Sequence, residues 1–224
     1  RPGVGLTMEV SLAVPEGSLD FWERRLQEAR VDLSPVEMRR GGRVLPLRDP
    51  HGMPVALAET RDARTFTPWP ASPVPADRQV LGLHAVRLWE RSLGETGDFL
   101  TGVLGFAALG AEGDWHAFAV SGGGSGCLLE IRELPQSPRG AWGTGSVHHI
   151  AWRVADVEAE LAVRQRVADA QRRPTDVIDR FWFKSVYFKE PGGALFELAT
   201  DGPGFTADED LATLGERLVL PPWL

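Results

Sequence analysis

Cysteine is nearly absent from this chain of 224 residues: Cys127 stands alone. One thiol forms no internal disulfide and builds no cysteine-rich zinc site. That composition fits a reducing compartment, and a cytoplasmic location is the expectation. Positive charge is also in deficit. Lys and Arg number 24 against 31 Asp and Glu, a formal net charge of −7, and no basic run interrupts the pattern. Such a chain has no electrostatic reason to seek nucleic acid or an anionic membrane. No stretch reaches the roughly 18 apolar residues of a membrane-spanning helix. The opening residues, Arg1-Pro2-Gly3-Val4-Gly5, carry neither an initiator Met nor the apolar segment of a secretory signal. A portion upstream of Arg1 is therefore expected. Tyrosine occurs once, at Tyr187.

What the chain does have is an internal repeat. Asp49-Pro50-His51-Gly52 precedes the apolar run Met53 to Ala58, and Glu190-Pro191-Gly192-Gly193 precedes Ala194 to Ala199. Both read as an acidic-Pro-x-Gly turn followed by a strand, because Pro fixes φ and Gly tolerates a positive one. Strand-like runs lead into each turn at Val44–Leu47 and Val186–Phe188. Three further strands open successive units: Val10–Val14, His84–Trp89 and His149–Val154. A helix candidate follows each. Ser18 caps the first, with Leu19, Trp22 and Leu26 on one face; Phe99, Leu100 and Val103 stripe the second. Val157, Leu161 and Ala168 stripe the third, behind Asp156 as its cap.

The expected fold is α+β, built of repeated βαβββ modules that pair into half-barrel sheets. The first module occupies 1–60, its repeat pattern beginning near 7, and carries no metal ligands. A stiff Pro-rich linker fills 61–81, a second module 82–134 and a third, metal-binding module 147–201; residues 202–224 form a tail. A βαβββ unit leaves one apolar sheet face to bury, so such units pair. Three modules leave one unpaired, which points to an absent partner or a homo-oligomer.

Aligning the units on these landmarks places Glu9, His84 and His149 in one slot and Ala56, Glu130 and Glu197 in another. Two imidazoles and a carboxylate with open positions is the usual non-haem iron(II) arrangement. Only the second and third units keep both residue types. A lone strand histidine is more often a satisfied structural residue than a ligand, and His51 and His116 stay with that reading. Glu130 is equally well a solvated strand residue. Glu197, between Phe196 and Leu198, is costly unless paired, metal-bound or solvated. Arg180 has a bland reading as the partner of Asp179 or Asp176, and Tyr187 as core packing.

The run Val147-His148-His149-Ile150-Ala151-Trp152 resembles the first strand of a metal-binding module of the vicinal oxygen chelate superfamily (glyoxalase/bleomycin resistance/extradiol dioxygenase). Asp179-Arg180-Phe181-Trp182-Phe183-Lys184-Ser185-Val186-Tyr187-Phe188 is similar to a segment of its hydroquinone-type ring-cleaving dioxygenases. Glu190 to Glu197 and the tail through Leu220-Pro221-Pro222-Trp223-Leu224 are similar to the same subgroup. The resemblance spans essentially the whole chain and is densest from Gly143 onward. It implies His149 and Glu197 as metal ligands, with His148, Arg180 and Tyr187 as catalytic groups around them. It implies Fe(II), with Mn(II) accepted by the same donors, a small aromatic substrate of hydroquinone or catechol type, and dioxygen. It also implies four modules, with a further histidine ligand from the first, of which this chain shows three. His84 falls in the equivalent slot of the preceding module, which in this subgroup is not expected to supply a ligand.

Alternation points His148 away from His149, to the other sheet face. Arg180 is a fixed charge suited to a phenolate, and Tyr187 is a donor suited to the same oxygens. Two other readings share the fold and stay open. One is a glyoxalase-type metal-dependent lyase or isomerase. The other is a metal-free aromatic-ligand binding or resistance protein, which the eight Trp residues also suit.

Overall fold

A computed structural model of the chain describes residues 1–224. The first repeat runs β1 (Leu6–Pro15), α1 (Leu19–Glu28), β2 (Asp32–Leu33), β3 (Glu37–Arg39), β4 (Gly42–Arg48) and β5 (Pro54–Thr60). The second runs β6 (Gly82–Glu90), α2 (Leu93–Gly102), β7 (Ala107–Glu112), β8 (Trp115–Ala119) and β9 (Leu128–Glu133). The third runs β10 (Ile150–Val154), α3 (Val157–Asp169), β11 (Ile178–Asp179), β12 (Lys184–Lys189) and β13 (Leu195–Thr200). In each repeat the first strand lies parallel to the last, so the helical crossover returns the chain beside its start.

Repeats one and two fuse into one nine-stranded sheet through antiparallel pairing of β1 with β6. The third repeat forms its own four-stranded sheet, β10-β13-β12-β11, and the outer edge of β10 is unpaired. The main core joins the second and third repeats: Leu88, Leu100, Leu129, Ile131, Val186, Phe188 and Phe196 belong to one apolar cluster. A smaller cluster of Val14, Leu19, Leu45 and Leu57 serves the first repeat.

The acidic residue of each repeated turn caps that turn. Asp49 Oδ1 accepts from the N–H of His51 and Met53, both at 2.8 Å. Glu190 accepts from the N–H of Gly192 at 2.8 Å and of Ala194 at 2.7 Å. Asp156 caps α3 through Ala159 N–H at 2.8 Å. Ser18 holds the cap position of α1, yet its hydroxyl makes no bond; Glu59 Oε1 accepts from Leu19 N–H instead, at 3.0 Å.

The stripe expected on α3 is rotated. Val157 and Leu161 are 39% and 47% exposed, and the buried positions are Glu160 and Val167. A glutamate on the inward face hid that face from hydrophobic periodicity. Residues 61–81 are pinned more firmly than a stiff spacer. The Gln79 side chain accepts from Trp69 N–H at 2.9 Å and donates to the Trp69 and Val74 carbonyls, both at 3.0 Å.

Candidate metal centre

The site gathers on one face of the four-stranded sheet of the third repeat. Parallel pairing sets Ala151 opposite Glu197, so His149, two residues earlier, shares the Glu197 face. Antiparallel pairing sets Tyr187 opposite Glu197 and Ser185 opposite Ala199. Alternation thus brings Ser185, Tyr187, Glu197 and His149 to one side of the sheet. His149 Nε2 lies 2.7 Å from Glu197 Oε2. Glu197 is buried, and its other oxygen is fully occupied: Ser185 Oγ donates to Oε1 at 2.5 Å and Tyr187 Oη at 2.8 Å. Two donors on one oxygen orient the carboxylate so that the second oxygen faces the imidazole.

An outer ring supports these groups. Arg180 Nη2 donates to Tyr187 Oη at 3.4 Å, with the guanidinium 5.6 Å from the Tyr187 ring centre. The bland partners of Arg180 are otherwise engaged: Asp179 pairs with Lys184, and Asp176 with Arg164 at 2.9 Å. His148 does not point away from its neighbour as alternation suggested. It precedes the first residue of β10, where the alternating pleat has not begun, and its Nδ1 lies 3.1 Å from His149 Nδ1. Trp142 stacks on His148 with ring centres 4.9 Å apart. Ser185 and Trp142 were missed at the sequence level. Ser185 was findable, since it sits two residues from Tyr187 on one strand face. Trp142 was not, because an irregular connection places it.

The His84 slot is corrected by register. Arg87 pairs with Glu130 as Ala151 pairs with Glu197, so the second-repeat counterpart of His149 is Ala85. Ser11 pairs with Ala85 and Leu12 with Leu83, which leaves His84 without a partner in a β-bulge. Its Nδ1 meets Ser125 Oγ at 2.8 Å. Burial, then the Arg64 charge, lower its pKa. Glu130 is not solvated but buried, and Arg87 Nε binds it at 2.7 Å. Arg87 also lies 3.8 Å from Glu9, which Arg39 holds from the other side. Where the third repeat sets an imidazole against a carboxylate, the first sheet sets guanidinium groups against carboxylates. Within residues 1–224 no group of three or more His, Cys, Asp or Glu side chains is placed to hold a metal. The His149–Glu197 pair supplies two donors of the right kinds, beside the open edge of β10.

These features coincide with a known family. The profile of the Glyoxalase/Bleomycin resistance protein/Dioxygenase superfamily matches residues 82–198. MhqO of Bacillus subtilis, provisionally named a ring-cleaving dioxygenase, is 37% identical over 97% of this chain and 68% of its own length. The chlorohydroquinone/hydroquinone 1,2-dioxygenase of Sphingobium indicum is 31% identical, over 100% of this chain and 71% of its own. A crystal structure from Bacillus subtilis, also provisionally named a dioxygenase, superposes with a TM-score of 0.91 at 35% identity, covering 98% of this chain and 70% of that one. Glyoxalase I from Zea mays shares the fold at a TM-score of 0.61 and 15% identity, covering 89% of this chain and 68% of that one.

The chain belongs to the glyoxalase/bleomycin resistance/dioxygenase superfamily. Within it, the chain stands with the hydroquinone-type ring-cleaving dioxygenases.

Proposed function

We propose that this chain carries the metal-binding module of an iron(II)-dependent dioxygenase that opens hydroquinone- or catechol-like rings. His149 Nε2 and Glu197 Oε2 are the ligand atoms, and Mn(II) is the other ion these donors accept. The observation that carries the reading is the Glu197 carboxylate, with one oxygen saturated by Ser185 and Tyr187 and the other turned to His149. Bound here, Fe(II) supplies the electron path that dioxygen and a singlet aromatic ring lack by themselves.

The protein groups fix protons and charge around that centre. A neutral imidazole that ligates through Nε2 carries its proton on Nδ1. His149 Nδ1–H then donates to His148 Nδ1, which leaves the His148 proton on Nε2. His148 therefore sets the tautomer of its neighbour, the usual work of an outer partner to a ligating histidine. Trp142 holds the His148 ring in place. Arg180, always charged, favours a phenolate over a phenol at the adjoining position. Tyr187 holds a proton at Oη between Arg180 and Glu197, available to an oxygen of the substrate.

A strand laid against the open edge of β10 would bring another ligand to the pair, as β1 brings Glu9 opposite Arg87 on β6. The test is oxygen uptake by iron-loaded protein supplied with hydroquinone or catechol. Uptake with a ring-opened product, abolished in His149→Ala and Glu197→Gln, is expected. Uptake unchanged in both variants would contradict the assignment.

A further inference from the structure

The segment that bears Arg180 is held under backbone strain, and some of the holding groups come from outside the three repeats. Phe181 has φ +72°, a left-handed conformation that a bulky aromatic residue adopts only when its surroundings impose it. Several contacts impose it here. Asp179 Oδ1 accepts from Phe181 N–H at 2.8 Å, and Arg180 N–H reaches the Phe183 carbonyl at 2.9 Å. The other contacts come from the segment after β13. Trp182 Nε1–H donates to Asp208 Oδ1 at 2.9 Å, and Gly204 N–H donates to the Trp182 carbonyl at 2.8 Å. The Phe205 ring lies 6.0 Å from Trp182 and 6.2 Å from Phe183. Trp223 closes on Phe181 at 6.2 Å.

We infer that residues 202–208 act as a strap that positions Arg180, with Trp182 and Asp208 as the positioning residues. The inference rests on the reading of Arg180 and Tyr187 as groups of the site. A left-handed Phe181 turns the chain sharply between Arg180 and Trp182. Anchoring Trp182 to Asp208 on one side of that turn fixes the direction in which Arg180 leaves on the other. Arg180 makes a single side-chain hydrogen bond, the long one to Tyr187. Its own contacts are therefore too few to hold a long, flexible side chain, and its placement depends on the backbone beneath it. Released from Asp208, the turn would relax toward ordinary φ values and the guanidinium would leave the Tyr187 hydroxyl.

The chain has one tyrosine, so a spectroscopic label on tyrosine reads the surroundings of Tyr187 alone, and Arg180→Ala isolates the share due to the guanidinium. Protein carrying 3-fluorotyrosine gives one fluorine resonance, compared at fixed pH without metal. Arg180→Ala defines the position of the resonance with the guanidinium gone. Trp182→Phe keeps an aromatic ring and removes the N–H, and Asp208→Ala removes the acceptor. Both are expected to move the resonance to the Arg180→Ala position, and Asp208→Asn, which keeps Oδ1 as an acceptor, is expected to leave it as in the parent. Thermal melts followed by tryptophan fluorescence confirm that each variant is folded. A resonance unmoved in Trp182→Phe and Asp208→Ala overturns the strap, and one unmoved in Arg180→Ala overturns the contact itself. Iron binding through His149 and Glu197 is measured separately. A chain that binds iron there with an unmoved resonance keeps the proposed function and loses the strap.

Discussion

Glu90 is the residue with most at stake outside the metal centre. It ends β6, is fully buried, and neither carboxyl oxygen has a hydrogen-bond partner. Burial, then the neighbouring Glu190, push its pKa from 4.5 up to about 9, against the pull of Arg139. Glu190 is better served, with Thr96 Oγ1 donating to it at 2.9 Å besides its two backbone donors. The proton therefore stays on Glu90. Its folded-state pKa lies above the unfolded one, so the fold is favoured while the group is protonated. That contribution is fully present below about pH 4.5 and is lost as pH rises toward 9, at up to about 1.4 kcal/mol per pH unit. Glu90→Gln cannot ionise. It should raise the thermal midpoint at pH 8 and flatten the loss of stability between pH 5 and 9; an unchanged slope would show that Glu90 ionises freely. Gly192 lies under the same carboxyl. A Cβ there would meet Glu90 Oε2 at 1.5 Å, so Gly192→Ala should destabilise the chain more than an ordinary surface substitution.

At the scale of the element, the ion-pair cluster of the first sheet is the feature most exposed to a single substitution. Arg87 stands between Glu130 and Glu9 and lies 4.3 Å over the Trp115 ring. Arg87→Ala would leave buried carboxylates unbalanced, at a cost of roughly 3–5 kcal/mol in urea unfolding. Arg87→Ala combined with Glu130→Ala should recover part of that loss. If the double variant is no better than the single one, the two side chains are not coupled. Removal of the α3 cap in Asp156→Ala should cost about 1 kcal/mol in the same assay.

These elements also show what could be read from the sequence. The repeat, the cap of α3 and the acidic-Pro-x-Gly turns were legible, because Pro, Gly and a capping acid act through local geometry. His149, Glu197, Arg180 and Tyr187 were named from a family resemblance, and the fold brings all four together. The position of His84 was not legible. A single extra residue in β6 shifts the pairing, and a one-residue shift leaves no trace in the pattern of residue types. The buried face of α3 was hidden for a related reason: Glu160 occupies a core position, where burial raises its pKa.

At the scale of the whole molecule, two sheets of one design have separate work. The first sheet carries guanidinium–carboxylate pairs at the corresponding positions and joins two repeats edge to edge. The second keeps an imidazole and a carboxylate facing each other and leaves the β10 edge free. A shared core beneath the second and third repeats ties the sheets together. The division predicts that iron affinity follows the second sheet alone. Anaerobic titration of the 224-residue chain with Fe(II), alongside His149→Ala, Glu197→Gln and His84→Ala, measures it. Binding that is lost in the first two variants and retained in His84→Ala is the expected result. Binding that persists without His149 and Glu197, or that fails in His84→Ala, would contradict the placement of the metal centre on the third repeat.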